Sequence, residues 1–272
     1  MENFLETILT CKEEELATII KEKIYILENM PSTERKTIAP NESKYDYESY
    51  YVGFIKNDVK IYFSMDMNYN AAYTLGNYDY LFTFFSKIRE LNIKTKIDII
   101  KYLPSFMDEY FGKYCGIDKR EEYLMQYNGE ATIDCLKGKG LAACSERAAI
   151  ANNILEMIDT KSIYVTGNVE NEQHAFNILI DKNNKYFLLD TTSACGLYDE
   201  ENNLIGSASY FFKLGEISNK LESFLLEEKT LTFPDLIARK HKDGKVKYEM
   251  NGRVKKYTIE PIMLEEIKKR TR

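Results

Sequence analysis

Apolar positions recur at helical spacing along Phe4–Met30. Leu16, Ile19, Ile20, Ile24 and Leu27 mark one face, and Pro31 ends the pattern, so one helix is expected there. Residues 31–48 are polar and turn-rich and read as a loop. β-Forming residues on both sides of Asn57-Asp58 predict a hairpin over Tyr50–Phe63. Helical spacing returns over Tyr78–Leu91 and Ile93–Cys115, with Pro104 expected to kink or break the second helix. From Tyr127 to Gly140 the chain turns irregular and carries glycine. A helix is then expected from about Cys144 to Ile158, followed by strands at Ser162–Thr166, His174–Ile180 and Lys185–Thr192. Further on, Lys245–Met250 and Arg253–Ile259 flank Asn251-Gly252, the strongest short hairpin signal. Helices first, then one helix and consecutive strands, make an α+β order rather than an alternating βαβ one. The expected division is an N-terminal helical/β extension over 1–77, a core over 78–212 and a C-terminal appendage with a β-hairpin over 213–272.

Composition narrows the function classes. A chain of 272 residues, 44% hydrophobic and 29% charged, can build an ample core without disulfides or metal. Aromatic content of 13% argues against disorder. No run of 18 apolar residues occurs, so no membrane span is expected. The start Met1-Glu2-Asn3-Phe4-Leu5-Glu6 has acids where a secretory leader is basic. Five cysteines (Cys11, Cys115, Cys135, Cys144, Cys195) form no CxxC, so a reduced, cytoplasmic setting is expected. His174 and His241 are the two histidines, and no ligand pair has zinc spacing; neither metal nor organic cofactor is expected. The formal charge of −6 argues against general nucleic-acid binding. Residues 238–272 carry 12 Lys/Arg against 5 Asp/Glu. They read as a solvated hairpin and helix end, with contact to an acidic partner as the sharper alternative.

The chemistry-bearing segment is Gly138-Lys139-Gly140-Leu141-Ala142-Ala143-Cys144-Ser145-Glu146-Arg147. It puts Cys144 where a glycine-bearing loop becomes a helix. Unpaired N–H groups there lower a thiol pKa and can hold an oxyanion. A buried structural cysteine is the plainer reading of Cys144 alone. His174 opens an apolar strand, and Asp190 ends another in Tyr186-Phe187-Leu188-Leu189-Asp190. Each alone is ordinary: a core histidine, a turn-forming acid. Together they meet only if the register between the two strands is right. A loop of Lys182-Asn183-Asn184 would put Asp190 opposite Phe176, diagonal to His174, so an odd-length loop or a compensating bulge is expected. Cys144 is then the nucleophile, His174 the base and Asp190 the group that orients the ring. The Cys144 N–H would be one oxyanion donor, with Tyr127 and Asn128 as upstream candidates for another. Ser145 is a rival nucleophile, disfavoured because a thiolate forms more readily.

Cys144, then His174-Ala175-Phe176-Asn177, then Leu189-Asp190-Thr191-Thr192 resembles the transglutaminase-like superfamily of papain-like cysteine enzymes. Many of its members have a glycine just before the Cys and Trp after His-Ala; here stand Ala142-Ala143 and Phe176. The resemblance implies a papain-like core in which the Cys-bearing helix packs on an antiparallel sheet. It implies a Cys144–His174–Asp190 triad acting on a peptide or Gln-side-chain amide through a thioester. Water is favoured as acceptor (protease, amidase or deamidase) over an amine (transglutaminase), and the expected partner is a peptide or protein amide substrate. The alternatives are a non-catalytic protein-binding module of the same fold and small-molecule acyl transfer from an acyl-CoA.

Overall fold

The computed structural model describes residues 3–38, 47–59, 61–64, 70–113, 117–127, 130–169, 172–180, 186–213, 230–244 and 246–258. The expected N-terminal helix is two, α1 (Phe4–Thr10) and α2 (Glu13–Glu28). Cys11 and Lys12 adopt extended backbone, and the Glu15 carboxylate accepts the Lys12 N–H, which starts α2 afresh. The segment read as a loop contains β1 (Thr33–Ile38), paired with β2 (Tyr47–Val52).

The hairpin expected around Asn57-Asp58 does not form. β2 takes β1 and the distant β6 (Lys161–Val169) as partners. β3 (Ile61–Ser64) instead joins β4 (Asn70–Thr74) and β5 (Glu130–Thr132) in a separate small sheet. β-Propensity marks a strand but does not choose its partner. α3 (Asp79–Glu90) and α4 (Lys96–Phe111) follow, and α4 runs through Pro104 without breaking. Ile99, Ile100, Leu103, Phe106 and Met107 are all buried around the proline. Burying such side chains is worth about 1.5–3 kcal/mol each, which outweighs the roughly 3 kcal/mol cost of an interior proline.

After α5 (Ile117–Leu124) comes α6 (Cys144–Met157), where the sequence places it. The strands β6, β7 (Glu172–Ile180), β8 (Tyr186–Tyr198) and β9 (Leu204–Lys213) then form an antiparallel meander. β10 (Thr230–Lys240) and β11 (Val246–Thr258) are a hairpin that closes with Lys240 opposite Val246, not at Asn251-Gly252. Gly252, at φ +72°, sits in a bulge of β11 where the register shifts between Pro234 and Leu236. A left-handed glycine serves a bulge as well as a turn, and this one went to the bulge.

The fold is mixed α+β. The hairpin joins β8 in parallel at Ala238–Leu197 and β6 antiparallel at Tyr257–Val169. It thereby closes a circuit β6–β7–β8–β10–β11. Within that circuit β7 pairs with β6 from Glu172 to Ile180 but with β8 only from Asn177 to Ile180. Past Asp190 the register of β8 against β9 shifts, so β7 and β8 part there.

α6 packs on β6, β7 and β8. It is buried on nearly all sides: Ala148, Ala149, Ile150, Ala151, Ile154 and Leu155 have no exposed surface. Its small residues let strands and helices approach closely. Two of its buried polar side chains tie it to the segment after β2: Asn152 Nδ2 donates to the Gly53 carbonyl, and Asn153 accepts from the Ile55 N–H while donating to the Ile55 carbonyl. Phe4, Ile8, Ile20, Tyr51 and Phe54 from segment 1–77 share this core with α3, α4 and α6. Among the described residues, no helix is long and apolar enough to cross a membrane.

Candidate active site

The loop that delivers Cys144 is pinned residue by residue. Gly138 and Gly140, at φ +68° and +67°, turn the chain. Their N–H groups donate to the Tyr110 and Phe111 carbonyls at 2.9 and 2.6 Å. Gly112 lies so close that a β-carbon on it would stand 3.0 Å from the Gly140 nitrogen. Next, Arg120 of α5 donates to the Leu141 carbonyl at 2.6 Å. Arg147 donates to the Ala142 carbonyl at 3.2 Å, and to Asp108 and the Gly112 carbonyl of α4 and its end. The Glu146 carboxylate accepts the Ala143 N–H at 2.9 Å and pairs with Arg120 at 2.5 Å. Three consecutive residues before the nucleophile are thus fixed by buried charged groups, and Cys144 begins the helix.

Glu146 has no exposed surface and Arg120 is 2% exposed. Burial holds the Glu146 carboxyl above the ordinary carboxylate range, against the pull of its own N–H, the Ala143 N–H and the Arg147 charge. The guanidinium of Arg120 in contact with it is an opposite charge that favours the ionised form. Composition and spacing do not single out either residue, because Arg120 and Glu146 read as ordinary surface charges and lie far apart in sequence.

On the sheet, Asn177 stands opposite Leu189 and Ile180 opposite Tyr186. Continued by one residue, this register places Asp190 across from Phe176, the arrangement the odd-length loop requires. His174 Nε2 and Asp190 Oδ2 are 2.8 Å apart. Asp190 is fully buried, and its other oxygen accepts the Thr192 N–H at 3.0 Å. The ring of His174 is 12% exposed and stacks on Phe176 at a centroid distance of 6.5 Å. With Nε2 held by the carboxylate, Nδ1 is the ring nitrogen left for the thiol.

Cys144 is partly exposed and reaches the stretch of β7 that has no β8 partner. Burial pushes its thiol up, but the hydrogen bond and charge of His174 and the Ala175 N–H more than reverse this, and the thiol lies below its ordinary value. His174 shows the complement. Burial pulls the imidazole down, while the Asp190 charge and hydrogen bond, with the Cys144 contact, carry it up to about 10. Each group favours the charged form of the other, which is the condition for a thiolate–imidazolium pair.

Asn177 explains the spacing. Its side-chain amide donates to the Ala148 carbonyl at 3.0 Å, tying β7 to the first turns of α6 and so His174 to Cys144. Its place in the His-Ala-Phe-Asn run was the signal for this role.

Other candidates fall elsewhere. Tyr123 spends its proton on the Cys135 carbonyl at 3.0 Å, so in the 3.0 Å contact between the two hydroxyls Tyr127 is the donor. That commits the Tyr127 proton to a cluster beside Cys135, whose thiol burial pushes up to about 11. Asn128 lies outside the described residues. Ser145 donates to Glu146 at 3.3 Å. Among the described residues, no group of three or more His, Cys, Asp or Glu could hold a metal ion. Comparison with known families, with curated proteins and with solved structures finds no match to this chain.

Proposed function

We propose that this chain is a cysteine-nucleophile hydrolase or acyltransferase of the transglutaminase-like, papain-like type, acting on a peptide or Gln-side-chain amide. The observation that carries the reading is the buried Asp190 holding His174, with the thiol of Cys144 lowered by that same imidazole. A Cys-bearing helix laid on consecutive antiparallel strands supports the papain-like core.

In the proposed reaction the Cys144 thiolate attacks the amide carbon, and the C=O π electrons move onto oxygen. The unpaired N–H groups at the start of α6, that of Cys144 first, would hold that oxyanion. Imidazolium His174 gives its proton to the leaving nitrogen as the C–N bond breaks, leaving a thioester on Cys144. Neutral His174 then takes a proton from water, the hydroxide adds to the thioester carbon, and the C–S bond breaks to release the acid and restore the ion pair. Asp190 keeps one ring tautomer throughout and balances the imidazolium charge. Water is the favoured acceptor because it is abundant and an amine needs a second cleft.

Iodoacetamide labelling across pH, mapped by mass spectrometry over the five cysteines, tests the reading. Cys144 should label first and well below the ordinary thiol pKa of about 8.5. His174→Ala should remove that advantage. Even labelling of all cysteines, or indifference to His174→Ala, would favour a non-catalytic binding module instead.

A further inference from the structure

A cavity of about 220 Å³ lies between the end of α2, the end of β2, the last turn of α6, the start of β6 and the end of β7. Glu156, on its wall, is about 18 Å along α6 from Cys144, so the cavity is separate from the thiol site. Leu27, Val52, Phe54, Ile163 and Ile180 give it a buried apolar wall, and Met30, 42% exposed, stands at its rim. An apolar cavity of about 150 Å³ takes up benzene, so this one has room for one six-membered ring and a few atoms more.

One polar side chain on the wall has nothing to bind. Ser162 is 1% exposed and lines the cavity. Its N–H donates to the Glu156 carboxylate at 2.6 Å, and its carbonyl accepts the Gly53 N–H at 3.3 Å. Its hydroxyl is buried and has no hydrogen-bond partner among the described residues. An unpaired buried hydroxyl is costly, and a ligand that bonds it recovers that cost. The charged residues on the wall are Glu156 and Lys161, one of each sign, so their sum favours neither an anion nor a cation. Entry into an apolar space then selects a neutral molecule.

We propose that this cavity is a binding site for a small neutral molecule: one ring of apolar bulk carrying one hydrogen-bonding group, which pairs with the Ser162 hydroxyl. The proposal is independent of the reading of Cys144, which lies at the other end of α6.

Phenol and toluene test it, because they match in ring and size and phenol alone carries the polar group. Each is titrated into the full chain labelled with carbon-13 at its methionine methyls, and NMR follows the Met30 signal, assigned with Met30→Leu. Phenol should move that signal to saturation, and toluene should do so about fivefold more weakly, the scale of one neutral hydrogen bond. Ser162→Ala should weaken phenol by the same factor and leave toluene unchanged. Its melting temperature should hold or rise, because the oxygen removed was unpaired. A Met30 signal that ignores phenol, or that drifts linearly without saturating, would overturn the site. Equal affinities for phenol and toluene, or a phenol affinity indifferent to Ser162→Ala, would overturn the role of the hydroxyl and with it the proposal. Benzoate and benzylamine should both bind more weakly than phenol, and tighter binding of either would overturn the neutral class.

Discussion

Replacing Arg120 by methionine isolates what holds the nucleophile loop. The side chain is 2% exposed, pairs with the fully buried Glu146 and donates to the Leu141 carbonyl. Methionine keeps much of the volume and removes both interactions. Stranding a buried carboxylate costs about 3–5 kcal/mol, and losing the carbonyl's partner adds about 1 kcal/mol. At roughly 2–4 °C per kcal/mol for a chain of this size, the melting temperature should drop by roughly 10–20 °C. Glu146→Gln alone strands the guanidinium instead. The double variant Arg120→Met/Glu146→Gln strands no charge, and glutamine can still accept the Ala143 N–H, so it should recover about 2 kcal/mol or more against the sum of the singles. The loss in Arg120→Met should also depend on pH. Burial already raises the Glu146 carboxyl, and removing the opposite charge of Arg120 in contact with it should raise it further. A carboxyl raised in the folded state destabilises most at pH above its folded pKa, and the penalty fades as pH falls toward its unfolded value of about 4.3. Differential scanning calorimetry of the four proteins between pH 5 and pH 8 reads both effects. If the single losses add up to the double within about 0.5 kcal/mol, Arg120 and Glu146 do not act as one unit and the account of the loop is refuted.

Three further outcomes follow from the site. Asp190→Asn removes the charge that raises His174, so the imidazole falls; the thiol loses the imidazolium that lowers it, which outweighs the smaller relief from losing the Asp190 charge, and should rise. Alkylation of Cys144 near pH 7 should then slow about tenfold for every pH unit by which its titration moves up; an unchanged pH curve would separate the Asp from the nucleophile. Asn177→Ala cuts the tie to the Ala148 carbonyl, about 1 kcal/mol for the bond, and should both lower the melting temperature and raise the alkylation pH of Cys144. Gly112 and Gly138 both sit at positive φ, but a β-carbon on Gly138 meets nothing, whereas on Gly112 it meets the Gly140 nitrogen. Gly138→Ala should cost about 1 kcal/mol and Gly112→Ala roughly 2 kcal/mol or more in urea unfolding, and equal losses would show that loop docking is not that tight.

The parts of the molecule legible from sequence are those set by local pattern. Helix α6 opens at Cys144 and β6–β8 follow within a few residues of their expected bounds, because a glycine-bearing loop and short apolar runs are local signals. The juxtaposition of His174 and Asp190 was legible too, since a tight connection fixes the register of the strands on either side. What escaped depends on distant partners. β2 has β-forming residues but pairs with β6 across more than a hundred positions of chain. Asn251-Gly252 demands a left-handed residue, yet nothing local distinguishes a bulge from a turn. The break at Cys11 and Lys12 is set by the Glu15 cap and not by the hydrophobic stripe, which continues through it. Arg120 and Glu146 look like surface charges until the fold buries them together.

Helix α6 has no outward side. Most helices carry a wet face on which residues can drift freely, but Ala148, Ala149 and Ala151 are enclosed on separate flanks of this one. A larger residue at any of them has nowhere to go. Mutational tolerance along this segment should therefore be low around its whole circumference. Drift that retunes the chemistry has to enter through the strands and loops facing its tip, with the helix itself held as a fixed post.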